Sequence, residues 1–211
     1  FSPTDQTGGD LYDFVPLDGN RLFLLMGDAT GHGIGPALSA TQVRAMLRVA
    51  LRLDADLDDV FVHINDQLVD DLPDDRFVTA FFGLLDANSH TVSFHSAGQG
   101  PIMHYHAARG AYDWHEPSTF PLGYMAQTNL GPPVSLELAQ GDILGLISDG
   151  IYEYENEQGT QFGQQGVAAV IDSMPGAPAS ELVPAIMAAA REHGGSAPQA
   201  DDITIVLARR Q

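Results

Sequence analysis

A ten-residue run, FVTAFFGLLD at residues 77–86, constrains the fold of this 211-residue chain more than any other segment. Nearly all of its side chains are apolar, at odd and even positions alike, and successive side chains of a strand point to opposite faces of the sheet. A strand with two apolar faces has to be covered on both sides. We therefore expect residues 77–86 to form a central strand of a covered sheet.

The rest of the chain alternates between short strand-like runs and helical patterns. Strands are predicted at 10–17, 21–27, 91–97, 101–106, 133–138, 142–148 and 203–209, and helices at 36–52, 57–72, around 167–174 and from Ser180, as its cap, to Gly194. A turn at 18–20 predicts a hairpin, and Tyr112 and Trp114 are interpreted as packing residues in an excursion between strands. This order predicts an α+β fold, with antiparallel sheets flanked by helix pairs.

The charge balance excludes some classes of function. The chain has 28 acidic residues against 9 basic ones and no cysteine. A field of that sign repels nucleic acid, and the missing thiols exclude disulfides and cysteine catalysis. No segment is apolar enough to cross a membrane, and no signal peptide opens the chain. We expect residues 1–211 to be one cytoplasmic domain without direct membrane contact, excised from a longer protein that a membrane sensor could tether.

Several aspartates stand at the ends of predicted strands: Asp10, Asp28, Asp149, and the pair Asp201 and Asp202. Aspartate favours turns, so each one alone has a simple structural explanation. If these carboxylates meet in space, they cannot all remain ionised unless cations neutralise them. Oxygen ligands without cysteine suit Mg²⁺ or Mn²⁺.

The segments GGDLYDF, GDATGHGIGPAL, RFVTAFFGLLD, SAGQGP, FPLGY, QGDILGLISDGIYEYENEQGTQFG and DDITIV occur in this order along nearly the whole chain. This order resembles the RsbU/SpoIIE branch of the metal-dependent Ser/Thr protein phosphatases, the protein phosphatase 2C-like superfamily. The resemblance implies a central β-sandwich in αββα layers. It also implies two Mn²⁺ or Mg²⁺ ions, and hydrolysis of phosphoserine or phosphothreonine by a hydroxide that bridges them.

The resemblance also implies roles for individual residues. Asp28 would bridge both metals, and the backbone carbonyl of Ala29 would bind the first. Asp149 and Asp201 would bind the second. Asp10 would bind directly or orient a water.

Three further residues would support these ligands without binding metal. They are Asp202, where relatives often have asparagine, Gly150, and His32, which is also a candidate proton donor. Gln99 replaces the histidine that is usual in this branch. No basic residue adjoins the N-terminal motifs, so we expect metals to neutralise most of the phosphate charge.

The resemblance implies a phosphorylated anti-anti-sigma-like (STAS) protein as substrate and an upstream regulatory domain. Contact with that domain, or a homodimer, would involve helices 36–52 and 57–72. Two alternatives stay open: a catalytically silent partner-binding module on the same fold, and a hydrolase of small phosphoesters.

A pair of histidines, His104 and His106, lies on one face of the predicted strand 101–106. Such a pair could suggest zinc. We expect a plain exposed strand face instead, because period-two spacing shows only that the two side chains share a face.

Overall fold

The computed structural model describes residues 1–4, 7–53, 55–127 and 130–211. Within them the chain forms β1 (Asp10–Pro16), β2 (Arg21–Ala29), α1 (Ile34–Arg52), α2 (Leu57–Asp71), β3 (Val78–Asp86), β4 (Thr91–Ala97), β5 (Ile102–His106), β6 (Ala111–His115), β7 (Val134–Glu137), β8 (Ile143–Ile147), α3 (Asp149–Tyr152), α4 (Gly163–Ser173), α5 (Ala179–Gly194) and β9 (Ile205–Arg209). None of the helices found there has the length and hydropathy to cross a bilayer.

Close contacts divide the chain into two units. The five-stranded unit comprises Asp5–Gln99 and Glu116–Glu137, and the four-stranded unit comprises Phe1–Thr4, Gly100–His115 and Leu138–Gln211. Each unit holds one antiparallel sheet and its own helices. This composition agrees with the predicted α+β class.

The five-stranded sheet has the order β1-β2-β3-β4-β7. Its middle strand, β3, is the run that the sequence predicted to be central, and Phe81 and Phe82 on its two faces are both fully buried. The predicted hairpin joins β1 to β2, with Gly19 at a φ of 63° in the turn. Prediction and structure agree here because both features are set by local sequence.

Helices α1 and α2 belong to the same unit, and each buries one apolar stripe in its core. Val43 and Leu47 of α1 and Phe61 and Leu68 of α2 are fully buried. Helix α2 begins after Asp56, whose side chain accepts a hydrogen bond from the backbone N–H of Asp58. Both helices therefore start and end close to their predicted bounds.

The four-stranded sheet has the order β6-β5-β8-β9, and its core includes residues of α3, α4 and α5. Strand β6 contains Tyr112 and Trp114, which the sequence analysis placed in an excursion between strands. The predicted excursion is wrong, because the five residues of β6 pair with β5 along their whole length, but the packing role is confirmed, because both side chains pack against the core of this unit. The alternation of apolar and polar side chains in β6 is hard to recognise in the sequence. The strand has only five residues, lies at the edge of the sheet and is half-exposed.

The start of α5 also differs from the prediction. The helix begins at Ala179, and Pro178, not Ser180, holds the N-cap position. Ser180 lies inside the first turn, where a serine side chain no longer caps the free N–H groups.

Candidate active site

Asp10 and Asp28 stand directly opposite each other on β1 and β2. Opposed residues of an antiparallel pair project to the same face, with Cβ atoms about 5 Å apart. The predicted carbonyl ligand, Ala29, follows at the end of β2, and its N–H donates to the carbonyl of Gly9 at 3.2 Å. The five-stranded unit thus brings two carboxylates and one predicted carbonyl ligand to one end of its sheet.

Gly9 is necessary for this arrangement. A Cβ atom added to Gly9 would lie 2.6 Å from Oδ1 of Asp28 and would collide with the carbonyl oxygen of Ala29. Any larger residue would occupy the space beside both predicted ligand atoms. The glycine keeps that space open.

The loop after Asp28 is fixed to the segment that leads into β3. The hydroxyl of Thr30 donates to the carbonyl oxygen of Phe77 at 2.7 Å, and the N–H of Phe77 donates back to that hydroxyl at 3.1 Å. The neighbouring guanidinium, that of Arg76, packs where a side chain on Gly35 would stand, with Cζ 3.1 Å from that position. The expectation that no basic residue adjoins the N-terminal motifs is therefore wrong.

Sequence reasoning missed Arg76 because it lies 48 positions after Asp28 in the chain. Antiparallel pairing of β2 with β3 brings the two segments together. The available signal was the arginine at the start of RFVTAFFGLLD, immediately before a strand that has to be central.

Gln99, the departure from the family pattern, is buried and bonded close to Asp28. Its Oε1 accepts a hydrogen bond from the hydroxyl of Thr79 at 3.0 Å, and Thr79 pairs with Asp28 across β3 and β2. Gln99 therefore fixes the strand next to Asp28. His32 lies exposed in the loop before α1 and makes no side-chain hydrogen bond to a described residue.

The second set of carboxylates belongs to the four-stranded unit. Asp149 is the first residue of α3, directly after β8, and Asp201 precedes β9. They line one pocket together with Glu153, Tyr154 and Asn156. Gly150 allows this approach, because a Cβ atom there would collide with the carbonyl oxygen of Asp202.

Asp202 is buried and holds the chain that carries Asp201. Its Oδ1 accepts the N–H of Thr4 at 2.7 Å, and its carbonyl accepts the hydroxyl of Ser148 at 3.2 Å. The N–H of Asp202 in turn donates to Oδ1 of Asp201 at 2.7 Å. Asp202 therefore sits where it would position a ligand rather than serve as one.

The electrostatics of this pocket are unfavourable for a carboxylate. Desolvation by the surrounding protein, and then the charges of Asp201 and Glu153, raise the pKa of Asp149. Asp149 is open to the pocket, and no arginine or histidine among the described residues forms an ion pair with any of these three acids. A divalent cation would remove the repulsion. The all-oxygen donor set of this pocket fits Mg²⁺ or Mn²⁺.

The family model for stage II sporulation protein E (SpoIIE) matches residues 18–211. The chain belongs to the SpoIIE family. The phosphoserine phosphatase RsbU of Bacillus subtilis is 25% identical over 157 residues, which cover 74% of this chain and 46% of RsbU. The chain spans less than half the length of the curated relatives it matches.

Solved structures show the same fold. The SiaA-PP2C domain of Pseudomonas aeruginosa has a TM-score of 0.85 and 22% identity, over 100% of this chain and 84% of that domain. The SpoIIE phosphatase domain of Bacillus subtilis has a TM-score of 0.81 and 21% identity, over 97% of this chain and 59% of that structure. RsbX in complex with magnesium has a TM-score of 0.70 and 14% identity, over 97% and 89%.

The predicted family resemblance and the α+β class are both confirmed. The metal-ligand roles of the individual aspartates remain predictions made from the sequence.

Proposed function

We propose that this chain hydrolyses phosphoserine or phosphothreonine on a partner protein, using two divalent cations. The observation that carries the proposal is the pocket of Asp149 and Asp201, where clustered carboxylates lack a cationic partner among the described residues. A protein that only binds partners has no reason to maintain such repulsion. The silent module is therefore the weaker alternative.

The metal ligands would come from both carboxylate sets. Asp28 and the Ala29 carbonyl would bind one cation, Asp149 and Asp201 would bind the other, and Asp10 would bind directly or orient a water. Mn²⁺ and Mg²⁺ both suit these ligands. When bound, the cations would neutralise charge on the phosphoryl oxygens and lower the pKa of a water.

The side chains around the ligands have separate tasks in this proposal. Asp10 would accept a proton or a hydrogen bond from the attacking water. Arg76 would donate to phosphoryl oxygens, because a guanidinium matches phosphate geometry. The leaving serine or threonine oxygen would take its proton from water or from His32. No covalent phosphoenzyme is required.

We infer that the substrate is a phosphorylated STAS-type protein. The support is membership of the SpoIIE family and the likeness to RsbU, a phosphoserine phosphatase. The remaining alternative is hydrolysis of small phosphoesters. It differs from hydrolysis of a phosphorylated STAS-type protein only in substrate preference.

One paired assay separates the three functions. Turnover of p-nitrophenyl phosphate and of a phosphorylated STAS protein is measured with Mn²⁺ and again in excess EDTA. The proposal expects both reactions to need Mn²⁺ and kcat/KM to favour the protein. A silent module fails both reactions, and a small-molecule hydrolase shows no preference for the protein. Undiminished turnover in EDTA contradicts the metal mechanism.

The five-stranded unit also carries a candidate regulatory surface. Val49 and Leu53 of the α1 segment are 58% and 75% exposed, and they border a groove with Met46 of α1 and Ile64 of α2. Large apolar side chains exposed together are typical of interaction sites. Because the curated relatives are more than twice as long as their matched regions, we propose that a regulatory region of a longer protein covers this groove.

The test compares this chain with the longer protein that contains it. The proposal expects the two to differ in activity or in Mn²⁺ affinity, and expects Val49→Gln with Leu53→Gln to remove the difference. Equal activity and equal metal affinity would contradict it. A concentration-dependent dimer of the isolated chain that these substitutions abolish would assign the groove to a second copy instead.

A further inference from the structure

The face of β5 that carries His104 and His106 is completed by a third polar residue, Asp142. Nε2 of His104 lies 3.2 Å from Oδ2 of Asp142, and Nδ1 of His106 lies 3.8 Å from the same oxygen. One ligand atom from each residue lies within 4.8 Å of the other two. His104 is 4% exposed and Asp142 2%, so the expectation of a plain exposed strand face is wrong.

The fold brings the third residue to this face. Strand β8 pairs with β5, and Asp142 directly precedes β8, after Gly141 at a φ of 88°. The sequence could not show this, because 36 positions separate Asp142 from His106.

Backbone groups hold the Asp142 carboxylate in place. Its Oδ1 accepts the N–H of Ala107 at 2.8 Å, and its Oδ2 accepts the N–H of Ala139 at 2.9 Å. Each carboxylate oxygen still has a lone pair available after these bonds. The site therefore has one fixed, buried oxygen donor.

A second carboxylate orients the His106 ring. Nε2 of His106 lies 2.7 Å from Oδ2 of Asp113, and since an ionised carboxylate only accepts hydrogen bonds, Nε2 carries the proton. In the neutral ring, Nδ1 is then an acceptor that faces the Asp142 oxygen. Metal-binding histidines are oriented in this way by a carboxylate on the distal nitrogen.

His104 is buried, and a metal ion binds the neutral form of an imidazole ring. Its Nε2 now hydrogen-bonds to Asp142. A metal would replace that bond, with the ring proton then on Nδ1.

We propose that His104, His106 and Asp142 bind a zinc-type transition-metal ion. Two imidazole nitrogens are ligands that Zn²⁺ favours and Mg²⁺ does not, and Zn²⁺ also accepts a carboxylate oxygen as a third ligand. The site is distinct from the Asp149 and Asp201 pocket, because the two stand at opposite ends of β8, a strand of about 16 Å. The ion would join β5 to the turn before β8 and so act as a structural clamp.

The test measures Zn²⁺ affinity by competition with a chromophoric chelator, in excess Mg²⁺ so that oxygen-only sites are occupied. Wild type is compared with His106→Gln and with His193→Gln. His193 is a half-buried histidine of α5 in the same unit, and its Nε2 bonds to the Thr160 carbonyl. Circular dichroism checks that each variant is folded.

The proposal expects one tightly bound Zn²⁺ in wild type and in His193→Gln, and at least about tenfold weaker binding in His106→Gln. Asp113→Asn, which changes only an exposed carboxylate, should weaken binding by about tenfold and serves as the decisive variant if His106→Gln does not fold. Wild type without bound Zn²⁺, or wild-type affinity in the folded variants of His106 or Asp113, would overturn it. Because no phosphatase assay is involved, the outcome is independent of the proposed function.

Discussion

Two aspartates, Asp13 in the five-stranded unit and Asp149 in the four-stranded unit, show opposite treatments of a carboxylate. Hydrogen bonds from Arg48, whose Nη2 donates at 2.6 Å, and from Arg44 at 3.0 Å lower the pKa of Asp13 to about 2. Asp149 accepts a hydrogen bond from the N–H of Gly150 at 2.9 Å but has no cationic partner among the described residues, and desolvation and the charges of Asp201 and Glu153 raise its pKa. The chain has nine arginine and lysine residues in total, and two of them form ion pairs with Asp13 of β1.

This difference identifies which acids are structural. Asp13 is 5% exposed, and its charge is balanced by Arg44 and Arg48. These ion pairs join β1 to α1. The charge of Asp149 is left for something outside the described residues to balance. Asp13 thus has two cationic partners within the protein, whereas Asp149 has none among the described residues.

The largest expected effect comes from replacing the unbalanced carboxylate. If Asp149 binds a metal ion as proposed, Asp149→Asn should lower kcat/KM for a phosphoserine protein by roughly 100- to 1,000-fold in saturating Mn²⁺, because it would remove one ligand of a charge-stabilising ion. Steady-state kinetics on the folded variant measures the effect. Asp74→Asn, at an exposed position between α2 and β3, is the matched control and should remain near wild type. Equal activity of both variants would remove Asp149 from the site.

A second effect concerns stability. Mn²⁺ at 100 times its Kd should add about 2.7 kcal/mol to the free energy of unfolding, which corresponds to a Tm increase of roughly 5–10 °C for a chain of this size. Because the pKa of Asp149 is raised, protons compete with the cation, and the increase should shrink as pH falls. Thermal melts at several pH values measure it.

Asp149→Asn provides the control for the metal effect. Without metal, the variant should be more stable than wild type at neutral pH, since it lacks the repulsion from Asp201 and Glu153. With Mn²⁺ it should gain less than wild type. A variant that is less stable than wild type without metal would show that the charge of Asp149 is balanced within the protein.

Asp13 is paired with two arginines, so its replacement should destabilise the protein, whereas replacement of Asp149 should stabilise the metal-free protein. Asp13→Asn should lower the free energy of unfolding by about 1–2 kcal/mol, less than the full pKa shift implies because water screens the partly exposed guanidinium groups. The pKa is depressed in the folded state, so this contribution is complete above the unfolded value of 3.8 and is lost as pH falls toward about 2. Urea unfolding of both proteins at several pH values measures the difference. A difference that grows toward low pH would contradict the assignment.

The sequence predicted the features that depend on neighbouring residues. The central position of β3, the β1–β2 hairpin and the spans of α1 and α2 all follow from local apolar periodicity and turn residues. The pairing of Asp10 with Asp28 follows almost directly from that hairpin, since its register places them opposite each other.

Features that depend on distant pairing could not be predicted. Arg76 reaches the loop after Asp28 only because β3 pairs with β2, and Asp142 reaches the two histidines only because β8 pairs with β5. Edge strand β6 was missed because five half-exposed residues give a weak periodic signal. The reactive residue types can be read directly from a sequence. Which of them lie close together depends on the pairing of distant strands.

The smallest expected effect concerns Arg76, the arginine in the segment that leads into β3. Unlike Arg44 and Arg48, Arg76 forms no ion pair with a described residue, and its guanidinium packs against Gly35 at the start of α1. Arg76→Gln should therefore cost little stability, but it should raise KM for a phosphorylated protein by roughly three- to tenfold through the loss of one charged hydrogen bond. Kinetics at two salt concentrations measure this, with Arg109→Gln, on the turn before β6, as the control. A fall in stability with unchanged KM would make Arg76 a structural residue like its two counterparts, and the phosphate would then be held without any cationic side chain from this loop.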